Sequence, residues 1–219
     1  MTSVVTPFLS PRILYPDTDG KPIAENTLRF EWITTIKGGL DDLFADNPNV
    51  FVAGDLFWYP LEGHPEIVAA PDAMVAFGRP KGHRLSYMQW EEGGIAPQVV
   101  FEVLSPSNRF GDLVRKLQFY QQHGVEEYYI YNPDPDRLDL SGFVRQSDRL
   151  IEVPAMNGHV SPRLKVRFEM ADQGLRIIGP NGQPFLTRQE LANLARQAMA
   201  EVEQLRRQLR ALGQDPSAE

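Results

Sequence analysis

Pro97-Gln98-Val99-Val100-Phe101-Glu102-Val103-Leu104-Ser105-Pro106 is an apolar run with a single carboxylate set inside it. Its flanking residues are apolar on both faces, so the run reads as a central strand covered on both sides. An ionised carboxylate in that setting costs several kcal/mol unless something pairs with it. Carboxylates hold such positions when they bind a metal or serve chemistry. The competing explanation is an arginine that pairs with Glu102 for structural reasons. The apolar surroundings favour chemistry at Glu102.

Outward from this strand, a second acid lies in a similar short run, Pro71-Asp72-Ala73-Met74-Val75-Ala76-Phe77. Taken alone, Asp72 reads as a turn residue after Pro71. On a strand neighbouring Glu102, ~4.8 Å away, it becomes one of two carboxylates that repel unless a cation sits between them. Mg2+ suits that place, since it prefers oxygen and keeps several waters, and Mn2+ is a substitute. Downstream, Phe110 to His123 has helical spacing and stops at Gly124. Leu113, Leu117 and Tyr120 form its apolar stripe, and Lys116 borders that stripe. From there Lys116 reaches back toward Glu102, or else lies along the edge of a buried face as a snorkelling lysine. Arg115 reads as solvated, and Asp112 as favouring the helix dipole.

The rest of the chain frames this block. Residues 1–24, rich in Pro and Asp, read as an irregular arm. Ile33, Ile36, Leu40, Leu43 and Phe44 predict a helix between Asn26 and Asp46, stopped by Asn47-Pro48-Asn49. Val50 to Tyr59 reads as one strand. Ile67 to Phe77 reads as another, whose Pro71 predicts a sheet edge or a bulge. Residues 78–96 form a long loop in which Arg79, Lys81, His83 and Arg84 cluster. Arg79, Lys81 and Arg84 are candidate phosphate contacts, against a plain solvated loop. Tyr87 and Trp90 either stack bases or pin the loop to the core. Tyr128 to Tyr131 is a buried-type strand, and 138–153 a hairpin. Leu175–Ile178 with the strand after Asn181-Gly182 suggests another.

A last helix runs from Thr187 to about Leu212, opened by a capping box of Thr187 and Glu190 and stopped by Gly213 and Pro216. Leu191, Ala195, Ala198, Val202, Leu205, Leu209 and Leu212 follow alternating steps of four and three, the seam of a coiled coil. At 1.5 Å per residue the helix is about 38 Å long. A leucine seam of that length predicts a homodimer or higher oligomer, against a helix folded back on its own β-extension.

Composition bounds the reading. The 219 residues suffice for one well-cored domain plus an appendage. A net charge of −7 argues against coating nucleic acid through bulk charge and leaves room for a local basic patch. No cysteine is present, which excludes disulfides and thiolate zinc sites and fits a cytoplasmic protein. The four histidines are widely separated, without metal-ligand spacing. No signal peptide is read at the N-terminus, and no apolar stretch approaches the ~18–20 residues that span a bilayer.

Ala70-Pro71-Asp72, the block from Pro97 to Ser107, Asp112, Lys116, Tyr120 and Gly124-Val125-Glu126-Glu127-Tyr128-Tyr129 together resemble the Uma2 family, a branch of the PD-(D/E)XK nuclease superfamily. The resemblance covers roughly residues 25–190, and its specific part is Pro97 to Pro133. It implies an α/β, restriction-endonuclease-like mixed central sheet flanked by helices, with a β-rich extension and the C-terminal helix. The implied domains are the arm 1–24, a nuclease-like domain 25–186, the helix 187–212 and a tail 213–219. The implied activity is Mg2+-dependent endonucleolytic hydrolysis of DNA, with Asp72 and Glu102 holding the metal and the Val103 carbonyl as a third ligand. The superfamily's lysine two residues after the second acid is replaced here by Leu104. The resemblance therefore implies that the role has moved to Lys116. A catalytically inactive binding or assembly module on the same fold is the rival reading.

Overall fold

A computed structural model describes residues 13–16, 27–171 and 174–212. The expected arm and tail thus lie largely or wholly outside the described residues. Helix α1 (Thr27–Leu43) is followed by β1 (Val50–Ala53), β2 (Trp58–Tyr59), β3 (Ala73–Phe77), β4 (Tyr87–Met88) and β5 (Val99–Val103). Helix α2 (Phe110–Gln122) leads to β6 (Glu127–Asn132), β7 (Asp139–Gln146), β8 (Arg149–Glu152), β9 (Arg167–Ala171), β10 (Gly174–Ile178) and α3 (Arg188–Ala211).

Six strands form one mixed sheet in the order β1-β3-β5-β6-β7-β8. All its neighbours are antiparallel except β5 and β6. A parallel pair needs a crossover, and α2 supplies it. Every residue of β5 is buried, as its apolar run requires. On one face Ile36 and Leu40 of α1 pack with Val75, Phe101, Tyr129, Phe168 and Ile177. On the other, Tyr120 of α2 packs with Met74, Val100, Tyr128 and Trp58. The sheet is a middle layer between two cores, which is the α/β architecture expected.

Three expectations need correction. The strand from Val50 to Tyr59 is broken into β1 and β2, and Asp55 between them takes a left-handed φ of 49°. Pro71 does not put its strand at an edge, because β3 starts at Ala73 and lies between β1 and β5. The proline sits ahead of the ladder, where a missing N–H costs no strand bond, and its carbonyl accepts from the Asp55 amide at 3.2 Å. The partner of β10 is β9, not a strand after Asn181-Gly182, where a single bridge joins Ile178 to Pro184. The alternation in Arg167-Phe168-Glu169-Met170 carried that signal.

Two adjacent glycines in α1 differ sharply. A Cβ on Gly39 meets the Phe185 ring at 2.2 Å, whereas one on Gly38 meets nothing within 4 Å. Gly39→Ala is expected to destabilise the protein by roughly 1–3 kcal/mol through overpacking. Gly38→Ala is expected to stabilise it by about 0.5–1 kcal/mol through helix propensity. Urea unfolding of both variants reads the opposite signs, and equal effects would remove the close Phe185 contact from the account.

Candidate metal and carboxylate site

The β3–β5 register sets Ala73 against Phe101 and Met74 against Val100. One step further along both strands brings Asp72 opposite Glu102, on the face that carries Met74 and Val100. Both carboxylates are 3% exposed. Such a pair cannot stand bare, and each acid is gripped by its own cation. Asp72 Oδ1 accepts from Arg29 Nη2 at 2.6 Å, and Oδ2 accepts from the Val103 amide at 2.6 Å. Glu102 Oε2 accepts from Lys116 Nζ at 2.6 Å, and Oε1 accepts from the Tyr120 hydroxyl at 2.6 Å. Lys116 and Tyr120 stand four residues apart on α2, so one helix face delivers both donors to one carboxylate.

Sequence reasoning placed Asp72, Glu102 and Lys116, and the structure brings these three together. It missed two participants. Tyr120 was read as part of an apolar stripe, although a buried tyrosine hydroxyl needs a partner and its spacing from Lys116 pointed at the same one. Arg29 carried no local signal, since its contacts cross 43 and 74 residues of chain. Its Nε donates to the Val103 carbonyl at 2.8 Å, so it spans two of the three oxygen groups expected to bind metal.

Burial, first, and then the neighbouring Glu102 push the Asp72 carboxyl up to about 7, against the pull of Arg29, the Val103 amide and Lys116. Burial and Glu102 also push the Tyr120 hydroxyl well above its ordinary value, which keeps it a donor. The Tyr128 hydroxyl is raised by burial and then by Glu102 and Asp72. It is buried with no hydrogen-bond partner among the described residues. Two facing carboxylates, a backbone carbonyl and an orphaned hydroxyl near them form an all-oxygen set suited to a hard divalent cation. Among the described residues no group of three or more His, Cys, Asp or Glu side chains gathers to hold a metal. Waters would therefore complete any coordination here, as Mg2+ tolerates.

The basic loop is placed elsewhere. Asp72 precedes β3, whereas Arg79 follows its far end, about 17 Å along the strand at ~3.3 Å per residue. Arg79 Nε and Arg84 Nε both donate to Glu92, at 2.8 and 2.5 Å. Lys81 Nζ donates to the Phe44 and Ala45 carbonyls just past α1. Arg84 also lies over the Phe51 ring, 3.9 Å from its centre. Tyr87 is fully buried and donates to the Ile95 carbonyl at 2.8 Å, so it pins the loop. Trp90 packs against Tyr15, with ring centres 5.1 Å apart.

Residues 32–169 match the family model Uma2, described as "Putative restriction endonuclease". That is more than half of the chain. The chain belongs to the Uma2 family. Asp72, Glu102, Lys116 and Tyr120 all fall inside the matched segment, and Arg29 falls just before it. No curated protein matches the chain. Among solved structures it is similar to a protein from Anabaena variabilis described as a "putative nuclease", at 13% identity and a TM-score of 0.46. That likeness covers 65% of this chain and 74% of the other.

Two outcomes are expected from this geometry. Asp72 holds its proton more tightly folded than unfolded, where its value is 3.8. Its linkage makes stability without metal fall as pH rises from 3.8 to about 7. The same proton must leave before a cation binds, so Mn2+ or Mg2+ affinity is expected to rise with pH through about 7. Calorimetric titration at about pH 6 and about pH 8 reads the change. Asp72→Asn should weaken binding and remove most of its pH dependence; an unaltered dependence would move the titrating group away from Asp72. For the loop, replacing Arg79, Lys81 and Arg84 by Ala is expected to lower the melting temperature and leave the salt dependence of any DNA binding unchanged. A flattened salt slope would assign these cations to phosphate contacts.

Proposed function

We propose that this Uma2 protein is an endonuclease that hydrolyses DNA phosphodiester bonds with one divalent ion, Mg2+ or Mn2+, held by Asp72 and Glu102. The observation that supports this most is the buried, facing pair of acids with Lys116 on Glu102. A bound metal would polarise a phosphoryl oxygen and lower the pKa of a coordinated water. The chain's own residues have distinct tasks. Asp72 and Glu102 offer anionic oxygens, and the Val103 carbonyl a neutral one. Lys116, about a third exposed at its side chain, reaches both Glu102 and solvent. It is placed to orient a water or to balance charge on the phosphate. Tyr120 fixes the Glu102 carboxylate by occupying Oε1. We further propose that the protein is cytoplasmic and assembles as a homodimer or higher oligomer through α3. No helix among the described residues is long and apolar enough to cross a membrane.

Nicking of supercoiled plasmid with Mg2+ tests the reaction. Glu102→Gln, Asp72→Asn and Lys116→Ala are each expected to lower the rate roughly a hundredfold or more. Combined variants should lose little further, because the groups act as one unit. Wild-type rates in Lys116→Ala would leave only the acids in the mechanism. Wild-type rates in Glu102→Gln would end the proposal.

One observation favours the rival reading, an inactive binding or assembly module. Arg29 already supplies a positive charge to Asp72 and a donor to the Val103 carbonyl. If Arg29 stands in for the metal permanently, wild type takes up no Mn2+. For the live site, Mn2+ binds to wild type, and Arg29→Ala tightens it on the order of tenfold by removing a competing charge. Failure of both proteins to bind Mn2+ favours the module.

A further inference from the structure

Helix α3 has 24 residues, and none of them is buried. Its seam positions Leu191, Val202 and Leu205 are 46%, 47% and 51% exposed. The alternative to an oligomer, a helix folded back over its own β-extension, is therefore not what α3 adopts. Written as heptads, the seam places Ala195, Val202 and Leu209 at one core position, a, and Leu191, Ala198, Leu205 and Leu212 at the other, d. Within parallel coils, a β-branched residue at a beside leucines at d favours two strands over three or four.

The residues flanking the seam distinguish orientations. In a parallel pair, the residue just before an a position faces the residue five further along on the partner. Two such pairs exist here, Leu194 with Met199 and Glu201 with Arg206. The first matches two exposed apolar side chains, at 50% and 73% exposure. The second matches opposite charges. Among the described residues neither Glu201 nor Arg206 has an ion-pair partner, although Glu203 and Arg207 pair within the helix at 3.5 Å. A fully overlapping antiparallel pair instead sets Glu201 against the partner's Glu201 and Arg206 against the partner's Ala192.

We propose that α3 pairs in parallel and in register with a second copy of the chain, Glu201 facing the partner's Arg206. The inference rests on the proposed homo-oligomer and adds its orientation. Phe185, wedged on Gly39 of α1, ties the start of α3 to the domain. Parallel pairing therefore joins both domains at the same end of the coil and sets two carboxylate sites in one particle. An antiparallel coil separates them by its full length.

The chain has no cysteine, so introduced ones are its only thiols. Leu191 and Leu212 lie about 32 Å apart along the helix, far beyond the ~6 Å between Cα atoms that a disulfide spans. A chain carrying L191C and L212C is oxidised and its linked peptides are mapped. Links of 191 to 191 and 212 to 212 are expected. Links of 191 to 212 overturn the orientation and leave the oligomer standing. Sedimentation then gives the dimer Kd. E201R and R206E are each expected to weaken the dimer on the order of tenfold, and the double exchange to restore it. An additive loss in the double exchange overturns the register. A wild type that sediments as a monomer at about 100 μM, well above the Kd of a modest protein dimer, overturns orientation and oligomer together. None of these readouts uses cleavage. Asp72→Asn should dimerise as wild type does, so failure of the nuclease proposal leaves this test intact.

Discussion

Two carboxylates facing each other across neighbouring strands, under a helix and out of water, are the constraint on which the rest of this structure turns. Neither can be ionised alone at acceptable cost. The fold answers with one donor pair for each acid. Arg29 and the Val103 amide hold Asp72, and Lys116 and Tyr120 hold Glu102. The donors come from both helices that pack against the sheet. The site is therefore complete only where α1 and α2 are both docked on the sheet. Asp72 remains the weak point. Its carboxyl stays raised in spite of Arg29, because burial and Glu102 outweigh the compensation.

The position of the lysine follows from the same geometry. Residue 104, two after Glu102, lies one step beyond β5, and there the chain has Leu104. From α2, Lys116 approaches the same carboxylate across the face on which Glu102 points. The crossover that makes β5 and β6 parallel is what places α2 there. A strand-borne lysine and a helix-borne lysine can thus meet one oxygen from two parts of the chain. What matters chemically is the ammonium beside the acid, not its distance in sequence.

Much of this was legible in the sequence, for identifiable reasons. The Val99–Val103 run could only be a fully buried strand, and Glu102 inside it had to have a purpose. Lys116 and the stripe of α2 followed from helical period, as did the seam of α3 and its cap at Thr187. What stayed hidden was non-local. Arg29 looks like any polar residue near a helix start, and nothing within ten residues of it names Asp72 or Val103. The basic loop has non-local partners of its own. Four basic residues in six suggest an exposed patch, yet Glu92, eight to thirteen residues on, draws in two of the arginines. Pro71 misled because a proline counts against an interior strand only if the ladder reaches it, and β3 begins two residues later.

Arg29 carries the remaining tension in the molecule. A guanidinium and a hydrated divalent cation make different demands on the same oxygens. The guanidinium needs planar, directional hydrogen bonds and keeps its charge on a flexible stem. The divalent ion needs converging lone pairs and tolerates water in the other positions. Asp72 and the Val103 carbonyl can serve either, but not both at full strength, because the atoms that Arg29 holds are the ones a metal would share. Glu102 would be in a similar contest with Lys116, yet there the fold leaves more slack: the lysine is a point charge about a third exposed, and under the proposed reaction it would reach a phosphate while still neutralising the acid. The two cations are therefore not equivalent guards of one site. Under the proposed metal chemistry, Lys116 is free to move with the substrate whereas Arg29 has to give ground to the ion, and that asymmetry would make α1 the element that decides how open the carboxylate pair is.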